Sequence, residues 1–136
     1  MRVRGVAVGI AMVMLNGCQS ASVGEMWASA RPANSGEKAV IIEGMRQFLR
    51  DPYSVRDVEI SQVVTSKAVG GNVRQVCVRG NAKNAYGGYT GKQTYLVYIG
   101  DNGQITHADQ GPSMSVVCSR LSFIPFPEAV NRLQRL

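Results

Sequence analysis

Cys18, Cys77 and Cys118 are the three thiols of the chain, and His107 is its one imidazole. A thiol can be acylated, oxidised to a disulfide, used as a nucleophile or bound to a metal, and spacing discriminates among these fates. No Cys-x-x-Cys pair occurs, and one histidine adds little to a Cys/His metal set, so neither a dithiol redox motif nor a zinc pattern is present. His107 falls in an expected strand with no serine, cysteine or carboxylate around it in a catalytic motif, which suits a structural or exposed imidazole better than a general base. Asp57 and Glu59 share one strand face by their i, i+2 spacing. Paired carboxylates can do acid–base work, but solvent-facing strand residues show the same pattern. Gly91-Lys92 ends like a phosphate-binding loop, yet Tyr86 stands where the first glycine belongs and Gln93 follows the lysine, so the motif fails twice. No catalytic residue, metal site or cofactor is assigned.

The most distinctive stretch is Asn81 to Lys92, NAKNAYGGYTGK. Its glycines permit a tight path, Tyr86 and Tyr89 offer rigid contact area with a polar tip, and Asn81, Asn84, Lys83 and Lys92 supply donors and acceptors. These six residues form the candidate binding loop. The same composition also suits a wide hairpin whose asparagines bond their own turn and whose tyrosines cover the sheet end.

Periodicity supplies the elements that would position this loop. Asn34 with Glu37 three residues later fits a helix amino-terminal cap, and Ile41, Met45, Phe48 and Leu49 then form one apolar stripe of helical period. Pro52 disfavours helix at Asp51, so this helix should stop near Arg50. From Asp57 the period falls to two: Val58, Ile60 and Val64 alternate with Asp57, Glu59 and Ser61, as on a half-buried strand. Gly70-Gly71-Asn72 marks a turn into a second strand over 73–79, and the Gly-rich loop leads to a third over 94–99. Asp101-Asn102-Gly103 predicts a type I′ hairpin turn into a short strand ending near Ala108. Met114 to Leu121 reads as a fifth strand, and Pro127 opens a final helical turn or two carrying Val130 and Leu133. The expected fold is α+β: one amino-terminal amphipathic helix packed on an antiparallel meander of four to five strands, in two layers. Tyr95, Val97 and Ile99 alternate with Leu96 and Tyr98, so the third strand is apolar on both faces; it is either covered twice or keeps one face for a partner.

The chain has 136 residues, 45% of them hydrophobic and 18% charged, with a net charge of +6; that is one ordinary domain and not a disordered or collagen-like chain. Arg2 and Arg4 precede an uncharged run ending at Leu15, with Asn16, Gly17 and Cys18 behind it, the three regions of an export signal. The run is about ten residues, half of what spans a bilayer. Leu15-Asn16-Gly17-Cys18 resembles the lipobox of bacterial lipoproteins, although Asn16 is less usual than alanine or serine at its place. The resemblance implies a signal peptide over 1–17, acyl chains on Cys18 and a periplasm-facing protein anchored to a membrane of the cell envelope. Gln19, in place of aspartate, implies the outer membrane rather than the inner in the enterobacterial members of that family. Residues 18–34, rich in serine, alanine and glycine, read as a flexible tether, interrupted by Met26 and Trp27, ahead of a single domain over 35–136. Loss of the leader leaves 13 basic against 9 acidic residues, a scattered +4 that gives no nucleic-acid footprint.

With Cys18 assigned to lipid, Cys77 and Cys118 become an even pair that an oxidising periplasm could join; two free thiols are the alternative. The body also resembles a diffuse group of small exported bacterial proteins of unknown function. The marks are Asp51-Pro52-Tyr53-Ser54, Cys77, and Asn81 to Gly91, with Val78-Arg79 standing where a glycine often follows that cysteine. Two function classes follow. One is a non-enzymatic envelope lipoprotein that binds or assembles with a partner protein or the cell wall through its loop; the other is an inhibitor of a cell-wall hydrolase, or a small hydrolase.

Overall fold

A computed structural model describes residues 19–135; Cys18 and the leader over 1–17 lie outside the described residues. The elements are α1 (Gln19–Ala28), α2 (Ser35–Phe48), a 3-10 turn (Pro52–Ser54), β1 (Arg56–Ala68), β2 (Gly71–Asn81), β3 (Gln93–Ile99), β4 (Ile105–Asp109), α3 (Pro112–Cys118), β5 (Phe123–Pro125) and α4 (Pro127–Gln134). The strands form one antiparallel sheet in the order β4-β3-β2-β1-β5, an α+β meander as expected.

Helices cover both faces. On one face Ile41 and Ile42 of α2, with Ala129 and Leu133 of α4, pack on Val58, Ile60, Val76, Val78, Val97 and Ile99. On the other, Val117, Cys118 and Leu121 pack on Val64, Cys77 and Leu96, joined by Met26, Trp27 and Ala30. The two apolar faces of β3 are therefore both covered by the chain itself. α1 and α3 add a layer that the two-layer expectation did not include.

Two segments depart from expectation. Residues 19–34 are not a free tether where they are described: α1 docks on the sheet, Arg31 and Val63 exchange backbone hydrogen bonds of 3.0 and 2.7 Å, and the Ser29 hydroxyl accepts from Thr65 N–H at 2.8 Å. Composition concealed this because the complement of Met26 and Trp27 is a sheet face built from residues far along the chain. The expected fifth strand over 114–121 is largely α3. Met114, Val117, Cys118 and Leu121 stand at i, i+3, i+4 and i+7, so the stripe is helical, with the β-branched Val116 facing outward. Pro112 opens that helix, where its missing N–H costs nothing.

Smaller differences have local causes. β1 carries two bulges, each adding one residue against β2, between Arg56 and Glu59 and between Ile60 and Val63. The second turns Val63 to the α2 face and Val64, expected beside Ile60, to the other; Ser61 Oγ sits in the gap and accepts from Cys77 N–H at 2.8 Å. At the β3–β4 turn only Gly103 has positive φ, and its N–H donates to Gly100 C=O at 2.9 Å, a three-residue loop with a left-handed glycine in place of type I′. Phe48, expected on the α2 stripe, is 53% exposed, because the helix ends there.

Glu37 is the one buried ionised side chain of α2. Its carboxylate accepts two bonds from Arg31 (2.7 and 2.8 Å), one from Arg74 (2.9 Å) and one from Asn34 N–H (2.9 Å), the last closing a reciprocal cap with Asn34 Oδ1. Arg74 donates its other nitrogen to Gly100 C=O at 2.8 Å. The Arg31 hydrogen bonds chiefly, then the Asn34 N–H and Arg74, outweigh burial and hold the Glu37 pKa at about 2. A carboxylate whose pKa is lowered on folding stabilises the fold fully above its unfolded value near 4.3 and loses that contribution as pH falls towards 2. The contribution is about 3 kcal/mol at neutral pH. Urea unfolding should show wild type well above Glu37→Gln at pH 7 and the gap shrinking steadily below pH 4; a gap independent of pH would dismiss the charged network.

Cys77 of β2 and Cys118 at the end of α3 lie at disulfide distance, Cα to Cα 5.7 Å, closing 41 residues. Breaking the pair by Cys118→Ser should cost about 4 kcal/mol by chain entropy, read as a lower unfolding midpoint that reductant does not lower further.

Candidate binding loop

The β2–β3 loop is built on one asparagine. Asn84 Oδ1 accepts from Tyr86 N–H (2.9 Å) and Gly88 N–H (3.1 Å), while Asn84 N–H donates to Gly88 C=O at 2.9 Å and its C=O accepts from Gly87 N–H at 3.1 Å. Gly87, at φ 78, supplies the left-handed step that this closure needs. Lys83 and Tyr89 pair across the base as an isolated bridge. The result is a small closed turn with Tyr86 at its tip, 95% exposed.

The base is bolted to the 3-10 turn. Asp51 Oδ1 accepts from Ser54 N–H at 3.2 Å, and Ser54 Oγ donates to Asp51 C=O at 2.8 Å. Ser54 then serves the loop twice: its Oγ accepts from Lys83 N–H at 2.8 Å and its carbonyl accepts from the Tyr89 hydroxyl at 2.7 Å. Asp51-Pro52-Tyr53-Ser54 and Asn81 to Gly91, two marks about 30 residues apart, thus meet in space. The Arg56 guanidinium lies 3.7 Å from the Tyr89 ring centre, and the Lys83 ammonium lies 5.9 Å from it.

The six candidate residues therefore separate. Asn84 shapes the turn and Tyr89 anchors it. Asn81 is buried at the end of β2, its Oδ1 without a donor among the described residues. Lys92 pairs with Glu59 at 2.7 Å. Tyr86 and the Lys83 ammonium are left to face outward. Sequence reasoning missed the far wall: Phe48, Leu49 and Arg50 at the end of α2, with Tyr95, bound a cleft of about 200 Å³ against Lys83, Asn84 and Thr90. The helix stripe placed Phe48 and Leu49 towards the core, and nothing in the loop's own composition points to them.

The carboxylate pair dissolves. Arg79 first, then Lys92, holds Glu59 ionised with a pKa of about 2, so it is neither acid nor base at neutral pH. Asp57 sits in the bulge at φ 53 beside Arg56 and shares none of these partners. His107 is exposed on β4 and leans on Tyr98, ring centres 5.8 Å apart. Among the described residues no group of three or more His, Cys, Asp or Glu could hold a metal ion. The arrangement offers a stiff aromatic projection beside a cation.

No protein-family model matches the chain, and no curated protein or solved structure matches it.

Since Tyr86 touches little and Tyr89 and Asn84 hold the loop, Tyr86→Ala should leave stability within about 0.5 kcal/mol. Tyr89→Phe and Asn84→Ala should each cost about 1 kcal/mol, read as chemical-denaturation midpoints.

Proposed function

We propose that this protein is an exported lipoprotein, anchored through Cys18 to the periplasmic side of an envelope membrane, the outer one in view of Gln19. It acts there as a non-enzymatic binding or assembly module. The reading is carried by the Cys77–Cys118 pair: a disulfide persists in oxidising compartments, and pairing these two leaves Cys18 as the one remaining cysteine. The export pattern and lipobox-like Leu15 to Cys18 point the same way. Two or more acyl chains on Cys18 would give stable anchoring. The binding role is supported by Tyr86, an exposed aromatic on a backbone already fixed by Asn84, which suits contact with an envelope protein or the cell wall.

Labelled palmitate should enter the wild-type protein and not Cys18→Ala, with the wild type in the membrane fraction; an intact, unlabelled precursor in the cytosol would overturn the anchor. Crosslinking in membranes and co-sedimentation with purified sacculi should retain the wild type, with Tyr86→Ala weakened at least tenfold, about 1.4 kcal/mol. A lipidated monomer retained by neither overturns the binding role.

A further inference from the structure

α1 starts at Gln19, and its Met26 and Trp27 pack on the sheet. Ser29, just past α1, is bonded to Thr65 near the outgoing end of β1. From there the face Ser22, Glu25, Met26 and Ser29 forms one wall of a cleft whose other wall is Thr65, Ser66, Lys67 and Asn72. The amino end of α1 therefore lies at the same end of the molecule as the β1–β2 turn. Ten helical steps from Ser29 back to Gln19 rise about 15 Å, and four strand steps from Thr65 to Val69 rise about 13 Å. Gln19, which follows Cys18 in sequence, thus starts α1 level with the turn. Val69 at the apex is fully exposed, and Lys67 beside it is exposed too. Asn72 N–H donates to Asp101 Oδ2 at 2.9 Å, which clamps this turn to the β3–β4 turn.

The candidate loop is at the other end. Ten strand steps of β2 from Gly71 to Asn81 span about 33 Å, and Tyr86 lies beyond them.

We infer that the end carrying the start of α1 and the Lys67–Asn72 turn is the face the domain turns to the bilayer. Val69 enters the headgroup layer with Lys67 beside lipid phosphates, and the Tyr86 loop points away from the membrane. The orientation rests on the acylation of Cys18 proposed above. It follows from a short, docked helix, because a free tether of the same length would let the domain tumble.

The test uses the full lipidated protein in phosphatidylethanolamine–phosphatidylglycerol vesicles. Val69→Cys or Tyr86→Cys supplies one free thiol for an environment-sensitive fluorophore, and Cys18 acylation is checked by mass on the same sample. A quencher on the lipid chains should dim the label at 69 several-fold more than the label at 86. Equal or reversed quenching with Cys18 acylated overturns the orientation alone; an unacylated Cys18 overturns both the orientation and the anchor. Inserting about 20 Gly/Ser residues between Ser20 and Ala21, with an r.m.s. reach of about 25 Å, should erase the difference between the two sites. A difference that survives the insertion removes the role given to α1.

Discussion

The Glu37 carboxylate is the constraint on which the rest of the structure depends. An ionised group with 1% of its side chain exposed is tolerable only if its oxygens are filled, and here four donors fill them. The three residues that supply them each fix a different piece of chain. Asn34 N–H starts α2. Arg31 reaches Glu37 from a segment whose backbone is paired with Val63, so satisfying the carboxylate and laying residues 29–33 along β1 favour each other. Arg74 brings in β2 and, through Gly100, the β3–β4 turn. One anion thereby joins the approach from α1, the start of α2 and one end of the sheet.

That junction decides how the second face of the sheet is covered. α2 and α4 bury a large aliphatic set, whereas the opposite cluster is smaller: Val64, Cys77, Leu96, Val117, Cys118 and Leu121, with Met26 and Trp27 at its rim. A seven-residue α3 cannot hold itself on a sheet by propensity, being too short to be stable alone. Cys118, at disulfide distance from Cys77 at the centre of β2, holds it there, and α1, directed by Arg31, closes the remaining side. The long chain path from β4 over this face to β5, at the opposite sheet edge, is sealed by the same two devices.

Signals that depend on neighbours in the chain were legible. The capping pair Asn34 and Glu37, the strand period at Val58 and Ile60, the turn glycines and the proline-led α4 all act within a few residues, and each is found where it was read. Signals that depend on what packs from afar were not. Met26 and Trp27 look like interruptions in a tether until a sheet face is present for them. The β-branched Val116 and Val117 masked a helical stripe. A single bulge, invisible in composition, moved Val64 to the other face. At the loop, Asn84 and Tyr86 follow from local chemistry, whereas the pairing of Lys92 with Glu59 and the service of Ser54 to Lys83 and Tyr89 required the folded chain.

The junction of Ser54 with the loop also bears on what sort of recognition the loop suits. Flexible loops surrender entropy when they bind, and that loss is subtracted from affinity. Here the backbone from Lys83 to Tyr89 is already committed to Asn84 and Ser54, and the side chains of Asn84 and Tyr89 are committed as well. Tyr86 stands out with two side-chain torsions to lose. A projection of that kind suits insertion into a concave surface on a partner, with the Lys83 ammonium nearby to favour an acidic rim. It suits enclosure of a small molecule poorly, because the cleft behind it holds only about 200 Å³ and is walled by the half-exposed Phe48. Stiffness that looks merely structural in the free protein is therefore the same property that would keep the cost of association low.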